Sequence, residues 1–228
     1  KLFHSLPHEL FQVIPELQVE GSLDYSLSLD YNSNLIDSLK LDFNIGCRKQ
    51  NFRIIKGLEN ITRFNEPFEY VFYENGDTAR VVPISPENPY FCSYTNIPPF
   101  LTQAILASED GAFFQHNGFI KSSIQSALIA DIKAKKLVRG GSTISMQLIK
   151  NLFLNRGKRF SRKFEEFLLV WMIEHYHLMT KERMFEIYVN IAEWGPHIIG
   201  IGEASEFYFN KKPSELTFPE CVYLASLI

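Results

Sequence analysis

Two periodicities divide the chain. Between residues 17 and 45 apolar and polar positions alternate, first in LQVEGSLDYSLSLDY and then in SLKLDFNI, with Asn and Ser between the runs. Alternation at period two is the mark of half-buried strands. A second strand-like pair, EYVFYENGDTARVVPI, turns at Asn75-Gly76, a dipeptide that strongly favours a two-residue hairpin. Pro83, Pro86, Pro89, Pro98 and Pro99 then punctuate a connector. Beyond Pro99 the apolar residues recur at three- and four-residue spacing. This predicts helices in PFLTQAILASED, KSSIQSALIADIKAKK, STISMQLIKNLFL, SRKFEEFLLVWMIEHYHL, TKERMFEIYVNIAEW and PSELTFPECVYLASLI. Ser142, Thr180 and either Ser214 or Thr217 are the expected N-caps. There is no internal repeat and no low-complexity tract. The pattern predicts a mainly α protein, with a β-rich N-terminal unit and Pro-rich connector over residues 1–94 and a helical domain over 95–228.

Composition narrows the class. At 228 residues, 46% hydrophobic and 14% aromatic, the chain has ample material for a core. No run of 18 uncharged apolar residues occurs, so no membrane-spanning helix is expected within it. The opening KLFHSLPHEL reads like the middle of a longer chain, and the closing SLI stops inside an apolar helical pattern; any anchor is expected outside these residues. Cys47, Cys92 and Cys221 form no CxxC pair and no zinc spacing. Cys221 is expected in the core, while Cys47 and Cys92 are either paired or free.

The net charge of −3 conceals an asymmetry. Ten of the 23 Lys and Arg residues fall between residues 133 and 163: Lys133, Lys135, Lys136, Arg139, Lys150, Arg156, Lys158, Arg159, Arg162 and Lys163. Such a cluster faces either solvent or an anion: nucleic acid, lipid headgroups or a phosphorylated substrate. Nucleic acid is the weakest of these, because the cluster lacks interleaved aromatics on which bases would stack.

Four segments carry candidate chemistry. In EDGAFFQHNG, residues 109–118, Glu109 and Asp110 end an apolar helix beside aromatic surface, a setting suited to proton transfer. In RGGSTISMQLIKN, residues 139–151, two glycines lead into a helix that opens on hydroxyls. Free amides and the helix dipole favour an anion there, flanked by Arg139 and Lys150. Thr143, Gln147, Lys150 and Asn151 share its polar face. In SRKFEEF, Arg162 and Lys163 lie four and three residues from Glu166. This is either surface ion pairing or a carboxylate among cations, placed to hold a metal or a leaving group. In EIYVNIAEWG, Glu186, Tyr188 and Asn190 interrupt an apolar run, and Asn190 reads first as a brace between helices.

In this order the four segments resemble the peptidoglycan glycosyltransferases of family 51, more the monofunctional kind than the bifunctional. ED-x-x-F-x-x-H-x-G is met by Glu109, Asp110, Phe113, His116 and Gly118. G-x-S-T-x-x-Q-Q is met by Gly140, Ser142, Thr143 and Gln147. R-K-x-x-E is met by Arg162, Lys163 and Glu166, and the fourth motif by Glu186, Tyr188 and Asn190. Three positions depart from the pattern: Met146 replaces a glutamine, Lys158 an arginine and His197 a glycine. The resemblance spans residues 95–228, and the N-terminal segment matches none of the family's usual companions.

The resemblance implies a lysozyme-like helical fold and polymerisation of lipid II into β-1,4 glycan strands, with release of undecaprenyl pyrophosphate. Glu109 would be the general base and Glu166 the second catalytic carboxylate, with a divalent metal (Mg2+ or Mn2+) at Glu166. Asp110, Phe113, His116, Gly118, Ser142, Thr143, Gln147, Lys150, Asn151, Lys158, Arg162, Lys163, Glu186 and Asn190 would form the substrate-binding set. Implied partners are lipid II, the growing lipid-linked chain, the membrane surface and cell-wall synthesis proteins, on the outer face of the cytoplasmic membrane. The segment between the first two motifs mixes apolar and basic residues as either an interfacial or a core helix would. The rival readings are a lysozyme-like hydrolase, which needs no cationic cradle, and a non-catalytic assembly partner.

Overall fold

A computed structural model describes residues 13–47, 52–74, 77–136, 138, 140–154 and 160–228. Its strands come as two-stranded antiparallel ribbons. β1 (Gln18–Glu20) pairs with β4 (Arg53–Lys56), β2 (Leu23–Asp30) with β3 (Lys40–Cys47), β5 (Phe68–Glu74) with β6 (Asp77–Ile84), and β7 (Glu193–Gly195) with β8 (Ile198–Ile199). Register pairs Glu74 with Asp77, as a two-residue connection requires; Asn75 and Gly76 themselves lie outside the described residues. The helices are α1 (Glu59–Thr62), α2 (Pro99–Glu109), α3 (Lys121–Ala134), α4 (Ile144–Phe153), α5 (Phe160–His175), α6 (Lys181–Ile191), α7 (Ile201–Phe209) and α8 (Phe218–Ala225).

Local chemistry sets the helix ends. Thr143, rather than the expected Ser142, caps α4: its side chain accepts from the Met146 amide, and the helix begins one residue later than the hydroxyl pattern suggests. Thr180 caps α6 through the Arg183 amide, 3.1 Å away. Thr217 opens α8 with Glu220 reaching back to its amide at 2.7 Å, the reciprocal arrangement that satisfies two free donors. α6 stops at Ile191, so Glu193 and Trp194 enter β7 rather than extending the helix. α7 was not anticipated; its glycines disguise it. Gly202 brings α7 against the connector so closely that a Cβ would meet the Tyr90 carbonyl oxygen at 1.9 Å.

One hydrophobic cluster runs through the structure. Leu148 and Ile149 of α4, Leu169, Val170 and Met172 of α5, and Phe185 and Val189 of α6 join Ile14, Leu17, Phe52 and Phe72 from the strand-rich stretch. Polar contacts fasten the same regions. The Val13 and Ile14 amides donate to the buried Glu165 carboxylate of α5 at 2.6 and 3.0 Å. Arg80 of β6 pairs with Glu203 of α7.

β3 lies along α3, with the Leu41 amide on Gln125 Oε1 and Lys121 on Asp42. The register places Tyr25 opposite Ile45, Leu27 opposite Phe43 and Leu29 opposite Leu41, so the ribbon has one apolar face. Leu23 at the start of β2 packs on the core with the β3 side, while Tyr25 and Leu27 further along β2 stay 71% and 69% exposed. Among the described residues no helix is long and apolar enough to cross a membrane.

Cys92 is a free, buried thiol in the connector. Burial, reinforced by the Glu186 carboxylate, pushes it up to about 12. Since the thiolate is the reactive form, Cys92 is expected to resist a thiol reagent at pH 8 in the folded protein and to react on unfolding, as a timed alkylation with mass spectrometry would read.

Candidate active site

The acidic pair at the end of α2 splits into two environments. Asp110 leaves the helix with extended backbone, φ −162°, which swings its carboxylate inward, where it is 4% exposed. There it accepts from the Ile144 amide at 3.0 Å and from His116 Nε2 at 2.9 Å. The Gly118 amide donates to His116 Nδ1 at 2.9 Å, so the imidazole proton belongs on Nε2 and is given to Asp110. Thr143 Oγ1 donates to the Gly118 carbonyl at 2.6 Å. Asp110, His116, Gly118 and Thr143 thus lock the first motif's turn onto the start of α4.

Gly118 is required at that lock. It adopts φ +87°, and a Cβ would stand 2.4 Å from Val170 Cγ1. Phe113 is fully buried beneath the turn, with the Lys181 ammonium 4.5 Å from its ring centroid.

Glu109 keeps its side chain at the surface of the same turn, half-buried. Its Oε2 accepts from Gln147 Nε2 at 2.8 Å, and Gln147 Oε1 faces the Tyr188 hydroxyl at 3.3 Å. Among the described residues Oε1 of Glu109 takes no hydrogen bond. Burial first, then the Glu109 and Asp110 carboxylates, raise the Tyr188 phenol, so it stays a neutral donor that fixes the Gln147 amide. One oxygen of Glu109 is held, and among the described residues the other is left without a hydrogen bond. Lys150 and Asn151 lie three and four residues beyond Gln147 on α4, hence on the same face; Lys150 is half-buried and Asn151 exposed.

The third segment builds a cationic neighbour. Glu166 is 2% exposed, and Lys163 Nζ sits 2.5 Å from its Oε1 and 3.4 Å from Ser142 Oγ. The ammonium side chain remains 42% exposed. A buried carboxylate therefore anchors a cation at the surface beside the second motif. Arg162 is half-buried on the same helix, whereas Lys158 and Arg139 lie outside the described residues. The expected metal residue, Glu166, faces an ammonium, and among the described residues no three His, Cys, Asp or Glu side chains converge to hold an ion. The donor set does not fit a resident divalent metal.

Glu186 and Asn190, expected to bind substrate, point elsewhere. Asn190 exchanges hydrogen bonds with the Cys92 backbone at 2.9 and 2.8 Å. Glu186 accepts from the Tyr94 amide at 2.7 Å and pairs with Arg183. Residues four apart on a helix share a face, while one two positions away is turned by about 200°. Tyr188 therefore looks toward Gln147 as its two neighbours hold the connector.

Two functional neighbours escaped the sequence reading. Tyr188 was seen only as part of a motif. Glu174, 7% exposed, accepts from Ser145 Oγ and Lys181 Nζ, each at 2.6 Å. A single acid at the end of an apolar helix, seven residues before a lysine, was the available signal.

A mainly helical domain that holds one carboxylate in aim beside an anchored cation has the parts of an acid–base enzyme acting on an anionic substrate. Residues 75–228 match the family described as Transglycosylase, and the chain belongs to that family. It is 43% identical over 135 residues to a biosynthetic peptidoglycan transglycosylase of Chromobacterium violaceum, covering 59% of this chain and 58% of that protein. It is 43% identical over 136 residues to a protein of the same name from Paraburkholderia phytofirmans, covering 60% and 56%. With the one from Laribacter hongkongensis the identity is 37% over 169 residues, 73% of each chain. The chain thus spans under two thirds of the first two relatives. Two of the three departures from the family pattern lie among the described residues. Met146 is 1% exposed in the core, and His197 takes φ +63°, a conformation natural to the usual glycine.

Proposed function

We propose that this chain is a peptidoglycan glycosyltransferase with a lysozyme-like helical domain, polymerising lipid II at a membrane surface on the outer side of the cytoplasmic membrane. The observations that carry the reading are the Glu109–Gln147 contact on α4 and the Lys163–Glu166 pair, whose ammonium reaches Ser142 just before the same helix. Gln147 holds Oε2 of Glu109 and leaves Oε1 to take the proton of the acceptor sugar's 4-hydroxyl. The freed oxygen attacks the donor's anomeric carbon with inversion, as the bond to the pyrophosphate breaks. Charge growing on the leaving pyrophosphate meets Lys163, which Glu166 and Ser142 hold in place, with Lys150 and Arg162 on adjoining helices. Glu166 acts by positioning that ammonium.

A divalent ion, if used, is proposed to arrive on the pyrophosphate rather than reside in the protein. The relatives' shared name and the family match support the reading; the exposed apolar face of β2 beside α3 supports contact with lipid. Incubating the protein with labelled lipid II and separating products by gel is the test. A ladder of lengthening glycan is expected; unchanged lipid II, or shortening of preformed glycan, would remove the proposal in favour of a partner or a hydrolase.

A further inference from the structure

We propose that the cleft between β3, the turn after the first motif and α5 binds a short segment of β-1,4-linked N-acetylated glycan, at a site separate from Glu109. The cleft has a volume of about 380 Å³, within the range of small-molecule sites. Phe43 from β3, Phe119 from the turn and Trp171 from α5 supply aromatic walls, and Asn44, Asn117 and His175 supply polar groups. Phe43 stands edge-on to Phe119 at 5.9 Å, and Trp171 stacks on His175 at 5.0 Å.

Charge decides the ligand class. The two oppositely charged groups in the lining are already engaged: Lys121 with Asp42, and Glu174 with Lys181 and Ser145. Neither group therefore brings an unmatched charge to the cleft. What remains on offer is aromatic surface and carboxamides, each amide both donor and acceptor. That combination suits a neutral ring with apolar C–H faces and a rim of hydroxyl and acetamide groups. The assignment to peptidoglycan-type glycan rests on the transglycosylase reading, whose product is such a chain; the neutral sugar chemistry rests on the cleft alone. Because Glu174 lines the cleft and also bonds Ser145 beside the second motif, glycan held here lies against the support of the active site. The ribbon β2–β3 forms one wall, so the site depends on the N-terminal stretch.

Tetra-N-acetylchitotetraose is the probe. The chain has two tryptophans, and Trp194 is 0% exposed with its indole N–H on the Val189 carbonyl. Trp171 is 7% exposed and lines the cleft, so a change in tryptophan emission on titration reports it rather than Trp194. A saturable change is expected in the full chain, with affinity weakened about tenfold in Asn44→Ala/Asn117→Ala, as loss of two exposed hydrogen bonds predicts. Both positions are exposed; Asn44→Ala alone, with an unchanged melting temperature, serves if the double variant is unstable. No saturable change, or equal affinity in the variants, overturns the proposal. Lipid II polymerisation is scored on the same preparation. Polymerisation without tetraose binding removes the cleft site alone; tetraose binding without polymerisation supports the cleft and removes only the catalytic reading.

Discussion

Replacing Glu109 by glutamine is expected to lower lipid II polymerisation about 10²–10⁴-fold, the usual worth of a positioned general base, while leaving the melting temperature nearly unchanged. The substitution keeps shape and volume, and its amide oxygen can still accept from Gln147 Nε2, which now bonds Glu109 at 2.8 Å. What disappears is the basic oxygen that Gln147 does not hold. The neighbouring acid sets the contrast. Asp110→Asn puts an amide where the carboxylate now receives both the Ile144 amide and His116 Nε2, so it should unfold the turn as well as slow the reaction. Turnover and thermal melts measured side by side on the two variants separate the roles. A Glu109→Gln protein that polymerises at the native rate would end the assignment of Glu109 as base.

A large expected effect on stability within the site comes from Gly118→Ala. A left-handed backbone costs an L-residue about 1–2 kcal/mol, and overpacking a tight site adds about 1–3 kcal/mol. Here the new methyl would stand 2.4 Å from Val170 Cγ1 and 3.1 Å from Glu174 Cγ, so both costs apply. The sum, about 2–5 kcal/mol, corresponds to roughly 5–20 °C in melting temperature for a chain of this size. Activity should fall too, because the Gly118 amide fixes the His116 tautomer and its carbonyl receives Thr143. A thermal melt within a degree or two of the parent would contradict the geometry.

Much of this site was legible from residue order alone. The α-helical period after Pro99 located five of the helices that build it, and Thr180 and Thr217 were readable as caps. Unequal roles for Glu109 and Asp110 were implied by the resemblance, and the structure adds that one sits at the helix end and the other just past it. What could not be read was direction. Glu186, Tyr188 and Asn190 alternate in text, but at 100° per residue they divide between two faces, and only the packed helix reveals which face meets the connector. Glu165 and Glu166 are adjacent letters with separate tasks for the same reason. α7 was hidden because a glycine chosen for close approach to Tyr90 reads as a break in the pattern. The clefts and ribbons of the first part of the chain depend on contacts across more than a hundred residues, such as Val13 with Glu165, and no local period encodes those.

That last contact has a consequence for how the chain has been able to change. Glu165 sits beside Glu166 on one turn of α5, and its buried carboxylate accepts two amides from the far N-terminal side. A graft that exchanged the N-terminal stretch for another would take two donors away from a buried carboxylate next to the anchor of Lys163. Any stretch put in place of the N-terminal one therefore has to offer the same two amides to position 165.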